Sequence, residues 1–410
     1  MTRIDGCRSC GSPGLRAILS LGETPLANAL LREEDLDRPE PRYPLELAFC
    51  PACSLVQITE TVPPAELFRE YVYFSSYSDT MLQHARDLVR RLVRERGLGP
   101  GSLAVEVASN DGYLLQYYRE AAVPVLGIEP ARNVAAVAER ERGVPTLTEF
   151  FGLDLAQRLA REERRADVLH ANNVLAHVAD LNGFVAGIRV VLREDGIAVL
   201  EVPYLGQMIP RLEFDTLYHE HLCYFSLTAL VRLFRRHQLD VVDVEEIPLH
   251  GGSLLLRVSH ASAGAVSERV AELIEREQSL GMTAHAYYRD FAPRVAAWRT
   301  CFRDFLESQK RAGRRLAAYG AAAKGSTLLN VAGVGRELIS FVVDRSEHKQ
   351  GRYMPGAQLP IRPPSALLEE SPDAVVLLAW NFQEEILAQQ AEYRRRGGRF
   401  VVPIPEVAFV

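Results

Sequence analysis

Three clusters in this sequence combine residue types and spacing that could do chemistry. The first is Cys7-Arg-Ser-Cys10 together with Cys50-Pro-Ala-Cys53. Each CxxC turn sets two thiolates on one side of a tight loop. Two such turns complete a tetrahedral S4 site, which suits Zn2+ because its d10 shell imposes no geometry of its own. Cys7, Cys10, Cys50 and Cys53 would fill every position on the metal, so the ion is expected to fold a module rather than react. The second cluster is Glu106-Val-Ala-Ser-Asn-Asp-Gly112, between an apolar run and a helical one. A dinucleotide pyrophosphate would require GxGxxG here. One glycine, Gly112, and an acid on the strand make a poor anion cradle. They suit a cationic sulfonium with an amino-acid tail, where a nearby carboxylate offsets positive charge. The third cluster is Tyr218-His-Glu-His221. On an extended segment only His219 and His221 would converge, and no third ligand is evident. General acid–base work is therefore expected rather than a second metal.

Positioning these groups requires strands that end at a common edge. Val123-Pro-Val-Leu-Gly-Ile-Glu-Pro130 reads as a second strand whose terminal acid, Glu129, can accept bonds from both hydroxyls of a ribose. A third strand, Ala166 to His177, ends in Asn172 and Asn173 at the same edge. Arg314 to Asn330 repeats the strand, glycine turn and helix. Its Gly320-Ala-Ala-Ala-Lys-Gly325 turn is no Walker A loop, because Lys324 precedes the second glycine and no Ser or Thr follows it directly. A helix N-terminus with Lys324, Ser326 and Thr327 can still hold a diphosphate. Asn381, at the end of the strand from Asp373, is expected to face a ligand. His250-Gly-Gly-Ser253 falls at a domain seam, where glycines would allow a phosphate or sugar close approach.

The fold class is accordingly α/β, in four parts: a zinc-binding module over 1–65, a doubly wound Rossmann-like domain over 66–261, a helical connector over 262–312, and a second Rossmann-like α/β domain over 313–410. A chain of 410 residues is long enough for this division. Its net charge of -6, from 47 basic and 53 acidic residues, argues against a nucleic-acid partner. No apolar run predicts a membrane span, and Met1 to Cys7 has no signal-peptide core. A cytoplasmic location is expected, where cysteines act as ligands or core filler rather than disulfides. Cys223 and Cys301 are read as core residues.

Taken together, these marks resemble the three-domain sugar C-methyltransferases that act on dTDP-4-keto-deoxyhexoses in antibiotic biosynthesis. The resemblance runs from the Cys7 knuckle to the last strand. It is carried by the paired CxxC turns, Glu106 to Gly112, Gly127-Ile-Glu-Pro130, Asn173-Val-Leu-Ala-His177, Tyr218 to His221, His250-Gly-Gly-Ser253 and Gly320 to Gly325. It implies a class I methyltransferase domain with S-adenosylmethionine bound by Glu106, Ala108, Asn110, Gly112, Glu129, Asn172 and Asn173. The family usually has Gly where this chain has Ala108. By the same resemblance His221 is a base, Glu220 orients it and Tyr218 contacts the sugar. His177 and Tyr73 would line the sugar pocket, and His250, Lys324, Ser326 and Asn381 would bind the sugar nucleotide. The implied reaction is methylation of a ring carbon, C3, through an enolate. Two alternatives stand beside it: a bifunctional relative that also reduces the 4-ketone with NADPH, and a zinc-ribbon binding module without catalysis.

Overall fold

The structure, a computed structural model, describes residues 1–67, 74–261 and 264–410, without the side chains of Ala65 and His250. At the N-terminus β1 (Thr2–Arg3), β2 (Arg16–Thr24), β3 (Tyr43–Phe49), β4 (Val56–Ile58) and β5 (Glu60–Thr61) are short and antiparallel. The two CxxC turns share one backbone pattern. Cys7 N donates to Ser12 O and Gly11 N to Cys7 O, while Cys50 N donates to Leu55 O and Ser54 N to Cys50 O. Closing each turn requires a left-handed residue, Gly11 at φ 71° and Ser54 at φ 65°.

The helix Asp79–Arg96 opens the central region. Ser78 Oγ accepts from Met81 N at its start, and Gly97, left-handed, ends it. Met81, Ala85, Leu88, Val89 and Leu92 recur at helical spacing and form its buried stripe. The strands β6 (Ala104–Val107), β7 (Val125–Ile128), β8 (Thr146–Leu147), β9 (Ala166–Asn172) and β10 (Leu192–Pro203) are parallel, and helices cover both faces. Of the strands that follow, β11 (Cys223–Tyr224) leaves this sheet and pairs antiparallel with β4. The N-terminal sheet is thus completed by residues from the middle of the chain. Next come β12 (Leu239–Ile247) and β13 (Ser253–His260), with β13 inserted antiparallel beside β10, so the order is β8-β7-β6-β9-β10-β13-β12. The winding reverses between β6 and β9, which opens a crevice at their carboxyl ends.

Two helices, Glu268–Ser279 and Phe291–Arg311, connect this region to the last sheet. Glu277, fully buried, accepts from Leu227 N and Thr228 N and so caps the helix Leu227–Arg236 from outside. The last sheet contains β14 (Leu316–Tyr319), β15 (Val342–Val343), β16 (Ile361–Arg362), β17 (Ala374–Leu377), β18 (Arg399–Val402) and β19 (Ala408–Phe409). Its order is β16-β15-β14-β17-β18-β19, with only β19 antiparallel. Here too the order reverses beside the first strand, at the Gly320 turn. Among the described residues no helix is long and apolar enough to cross a membrane.

Candidate functional site

A cavity of about 680 Å³ lies where the carboxyl ends of β6, β7 and β9 meet the Gly320 turn, with Asn28 of the N-terminal module on its wall. That size lies within the roughly 300–1,000 Å³ typical of small-molecule sites. Ala108, Asn110, Glu129, Asn172, Asn173, His177, Tyr218, His221, Lys324 and Asn381 all line it. Residues from the N-terminal module, the central domain and the C-terminal domain therefore share one space.

Beyond β6 the backbone turns sharply, with Ala108 at φ 51° and Asn110 at φ 50°. Asparagine tolerates this conformation, whereas alanine in it costs about 1–2 kcal/mol relative to right-handed backbone. The position where the resembling family carries glycine is thus one where glycine relieves strain. Glu129 anchors the loop: Oε2 accepts from Asn110 N at 3.0 Å and Oε1 from Ala131 N at 2.8 Å. Burial pushes its carboxyl up to about 7, against the lowering effect of those two amides. Among the described residues no group donates to the buried Oδ1 atoms of Asn172 and Asn173. These acceptors at a strand end fit the ammonium of an amino-acid tail, and Glu129 fits a pair of ribose hydroxyls.

Glu106 and Gly112 are placed differently from the expectation. Glu106 sits inside the sheet, opposite His170 of β9, and is not on the cavity wall. Desolvation, with Asp111, Glu129 and Glu201 nearby, raises its pKa well above the usual carboxylate range. Buried in the sheet and set back from the cavity wall, Glu106 is placed to support the loop from below. Gly112, at φ 77°, packs where an added Cβ would lie 3.1 Å from Val144 Cγ2. It too shapes the loop from behind.

The segment Tyr218 to His221 is a tight turn and not an extended strand, with His221 N donating to Tyr218 O at 2.9 Å. The turn pairs Tyr218 with His221 instead of His219 with His221. Tyr218 Oη lies 2.8 Å from His221 Nε2, and His221 Nδ1 lies 3.1 Å from Thr216 O. A carbonyl can only accept, so Nδ1 carries the proton and Nε2 presents its lone pair to the tyrosine hydroxyl. His177 packs edge-on against His221, its ring centroid 4.6 Å away. Burial pulls the pKa of His177 down to about 4, so it is neutral near pH 7. His219 and Glu220 turn the other way, into the N-terminal module. His219 Nε2 donates to Pro44 O at 3.0 Å, and both Glu220 oxygens accept from Asn28 Nδ2, at 2.7 and 2.8 Å. Glu220 therefore holds Asn28, while His221 is oriented by the Thr216 carbonyl.

On the opposite wall the helix Ala323–Ala332 points its first turn at the cavity, through Ala322, Ala323 and Lys324. The Lys324 ammonium sits 4.7 Å from the centre of the Trp380 ring, and Trp380 Nε1 donates to Asp215 Oδ2 at 2.6 Å. Lys349, also on the wall, donates to Ala321 O at 3.0 Å. Ser326 and Thr327 lie too far along the helix to reach a ligand: Ser326 is buried, and Thr327 Oγ1 donates to Leu217 O at 2.9 Å. Gly251 and Gly252 pack closely against Glu213 and Gln207, and neither lines the cavity. Their lack of side chains serves packing, not ligand approach. Tyr73, and the side chain of His250, lie outside the described residues. The NADPH alternative gains nothing here, because Asp344, the acid at the end of β15, already accepts from Ala321 N at 2.8 Å and pairs with Lys349.

Away from the cavity the sulfurs of Cys7, Cys10, Cys50 and Cys53 lie within 4.8 Å of one another, with Cys7–Cys53 at 3.5 Å and Cys10–Cys50 at 3.6 Å. Zn–S bonds of about 2.3 Å in a tetrahedron separate sulfurs by about 3.8 Å. The donor set and its spacing fit zinc.

Asn28, Lys349 and Thr216 were not expected from the sequence. Asn28 had a visible signal, a single amide inside the apolar run Leu26-Ala-Asn-Ala-Leu-Leu31. Thr216 acts through its backbone carbonyl, which side-chain reasoning cannot single out.

Models of known families match the chain in three consecutive stretches. They are a zinc binding domain over 7–68, a methyltransferase domain over 78–244 and a C-methyltransferase C-terminal domain over 248–405. The C-methyltransferase NovU of Streptomyces niveus is 38% identical over 404 residues, covering 98% of this chain and 96% of that protein. Two solved structures show only a distant likeness. The magnesium protoporphyrin IX methyltransferase of Synechocystis PCC 6803 with bound SAM is 13% identical over 43% of this chain and 79% of its own, at a TM-score of 0.34. An SAM-dependent methyltransferase of Anabaena variabilis is 13% identical over 49% of this chain and 100% of its own, at a TM-score of 0.35.

Proposed function

The chain belongs to the S-adenosylmethionine-dependent C-methyltransferase family, and from that premise we propose that it methylates a ring carbon next to the ketone, C3, of a dTDP-4-keto-deoxyhexose. The observation that carries this reading is the Tyr218–His221 pair, which faces the cavity bounded by Glu129 on one side and Lys324 on the other.

Bound against Ala108, Asn110 and Glu129, S-adenosylmethionine would supply an electrophilic methyl group. A proton next to a ketone is weakly acidic, so its removal needs a base and a donor that stabilises the enolate oxygen. His221 is held in the tautomer whose Nε2 can accept that proton. The Tyr218 hydroxyl can transfer its hydrogen bond from Nε2 to the C4 oxygen, which frees the base and stabilises developing negative charge in one movement. The electron pair left at C3 would form the new carbon–carbon bond as the methyl–sulfur bond breaks, its electrons leaving on the sulfur of S-adenosylhomocysteine, and the proton remains on Nε2. Neutral His177 keeps a second cation from forming beside the imidazolium. Lys324, the open helix N-terminus and Asn381 suit the diphosphate and nucleotide of the sugar nucleotide. Cys7, Cys10, Cys50 and Cys53 would hold a structural zinc that takes no part in the chemistry.

Both C3 and C5 flank the C4 ketone, so incubation in D2O without cofactor tests base and carbon together. Deuterium is expected at C3, and His221→Ala should slow its uptake by about 10²–10⁴-fold. Uptake at the wild-type rate in His221→Ala would remove His221 as the base. Uptake and methylation at C5 alone would overturn the choice of carbon.

A further inference from the structure

Asn28 of the N-terminal module lies on the cavity wall, and its side chain is held in an unusual way. Both oxygens of Glu220 accept from its Nδ2, at 2.7 and 2.8 Å, and Glu220 itself is only 3% exposed. A carboxylate cannot donate, so the amide orientation is fixed: the NH2 group faces Glu220. Among the described residues no group donates to Asn28 Oδ1. The backbone is fixed as firmly as the side chain. Leu30 N donates to Asn28 O, and Leu31 exchanges two backbone bonds of 2.9 Å with Tyr353 of the C-terminal region. A buried carboxylate that uses both oxygens on one amide presents a rigid acceptor beside the Tyr218–His221 pair.

Resting on the reading of the site as a keto-sugar methyltransferase, we propose that Asn28 is a specificity-determining residue, whose Oδ1 accepts a hydrogen bond from a hydroxyl on the sugar ring. The N-terminal module then supplies a substrate contact in addition to binding metal. Two features favour a neutral donor on the ligand. The acceptor is an uncharged amide, and the nearest acid, Glu220, is already committed to the amide's NH2 group. An apolar ring position opposite Asn28 would leave Oδ1 desolvated without a donor, so a deoxy sugar at that position should be disfavoured.

The test compares a dTDP-4-keto-6-deoxyhexose bearing ring hydroxyls with its 2-deoxy and 3-deoxy analogues, in the full-length zinc-loaded enzyme. The wild type is expected to prefer the hydroxylated sugar over one of the two analogues by about 3- to 10-fold in kcat/KM, the size of one neutral hydrogen bond. In Asn28→Ala that preference should fall to near unity, with most of the change in KM. Zinc content and S-adenosylmethionine affinity, measured alongside, detect a folding defect. If Asn28→Ala loses either, Asn28→Gln carries the comparison, and the wild-type preference remains an independent measure. A preference that is absent in the wild type, or unchanged in the variant, overturns the role of Asn28. Failure of the wild type to exchange or methylate any of the three sugars overturns the keto-sugar reading itself, and this proposal with it.

Discussion

Removing one oxygen atom offers a direct test of how Tyr218 and His221 work. In Tyr218→Phe the ring stays and only the hydroxyl 2.8 Å from His221 Nε2 is lost. As a structural hydrogen bond that contact is worth about 0.5–1.5 kcal/mol, so the thermal midpoint should fall only slightly. As a donor to the developing enolate oxygen the same hydroxyl is worth about 10²–10³ in kcat, or roughly 2.7–4 kcal/mol. The two roles therefore predict effects that differ severalfold in energy. The assay is deuterium uptake at the carbon next to the ketone, followed in D2O without cofactor, and then methyl transfer with it. The pair should also behave as a unit. Combined with His221→Ala, the tyrosine change should add little, because without the base there is little enolate to stabilise. Tyr218→Phe exchanging within about threefold of wild type would refute the reasoning, since even the low end of the donor effect is about a hundredfold. Equally damaging would be a double variant whose losses multiply in full, which would mean two independent functions.

Other consequences can be checked on the same protein. The purified chain should carry a single zinc, and Cys10→Ser should lower zinc retention and kcat together when both are followed by mass spectrometry and turnover. The pKa of Glu129 is raised to about 7 in the folded chain from about 4.3 unfolded, so its ionisation opposes folding and stability should fall as pH rises between those values. Ribose hydroxyls donate to the charged form, so S-adenosylmethionine affinity should rise up to about tenfold per pH unit below 7 and then level off. Calorimetry in two buffers of different ionisation enthalpy should detect proton release below pH 7 and none well above it. In Gly325→Ala the new Cβ would lie 2.7 Å from Leu378 Cβ and 3.0 Å from Leu378 Cδ1, which predicts a loss of about 1–3 kcal/mol in urea unfolding.

Periodicity and spacing were enough to read the two doubly wound sheets and the sulfur cluster. Each strand there is a short apolar run ending in a polar residue or a glycine turn, and those ends are where Glu129, Asn172 and Lys324 now stand. Reading faces within a cluster was harder. Glu106 looks from sequence like a cofactor acid, but strand alternation turns it into the sheet opposite His170. Tyr218 to His221 reads as extended from sequence, and the turn closed by His221 N and Tyr218 O changes which pair converges. Nothing local signals that turn, because it is stabilised by partners nearly two hundred residues away, Asn28 and Pro44. Ser326 and Thr327 stand back from the cavity for a related reason: only the first helical turn meets it, and the next packs inward.

If Tyr218 and His221 act as proposed, the stretch from Leu217 to Tyr224 gives a reason for a small cysteine-rich module beside the cavity. Tyr218 and His221 face the cavity, while the residues between and around them reach the other parts of the chain. Leu217 O accepts from Thr327 of the C-terminal helix, His219 and Glu220 bind the N-terminal module, and Cys223–Tyr224 adds a strand to that module's sheet. Leu222 N donates to Ala176 O, one residue before His177, and Leu222 O accepts from Ile58 N of β4. A segment this short, regular only at Cys223–Tyr224, has too few internal hydrogen bonds to hold Tyr218 and His221 at fixed geometry by itself. Its rigidity must come from neighbours, and the nearest is a sheet too small to fold on its own core. A metal held by both CxxC turns would supply the missing stability without occupying the cavity. On this account zinc would act on catalysis through β4 and β11, and the position of the His221 imidazole should be among the first properties lost when the ion leaves.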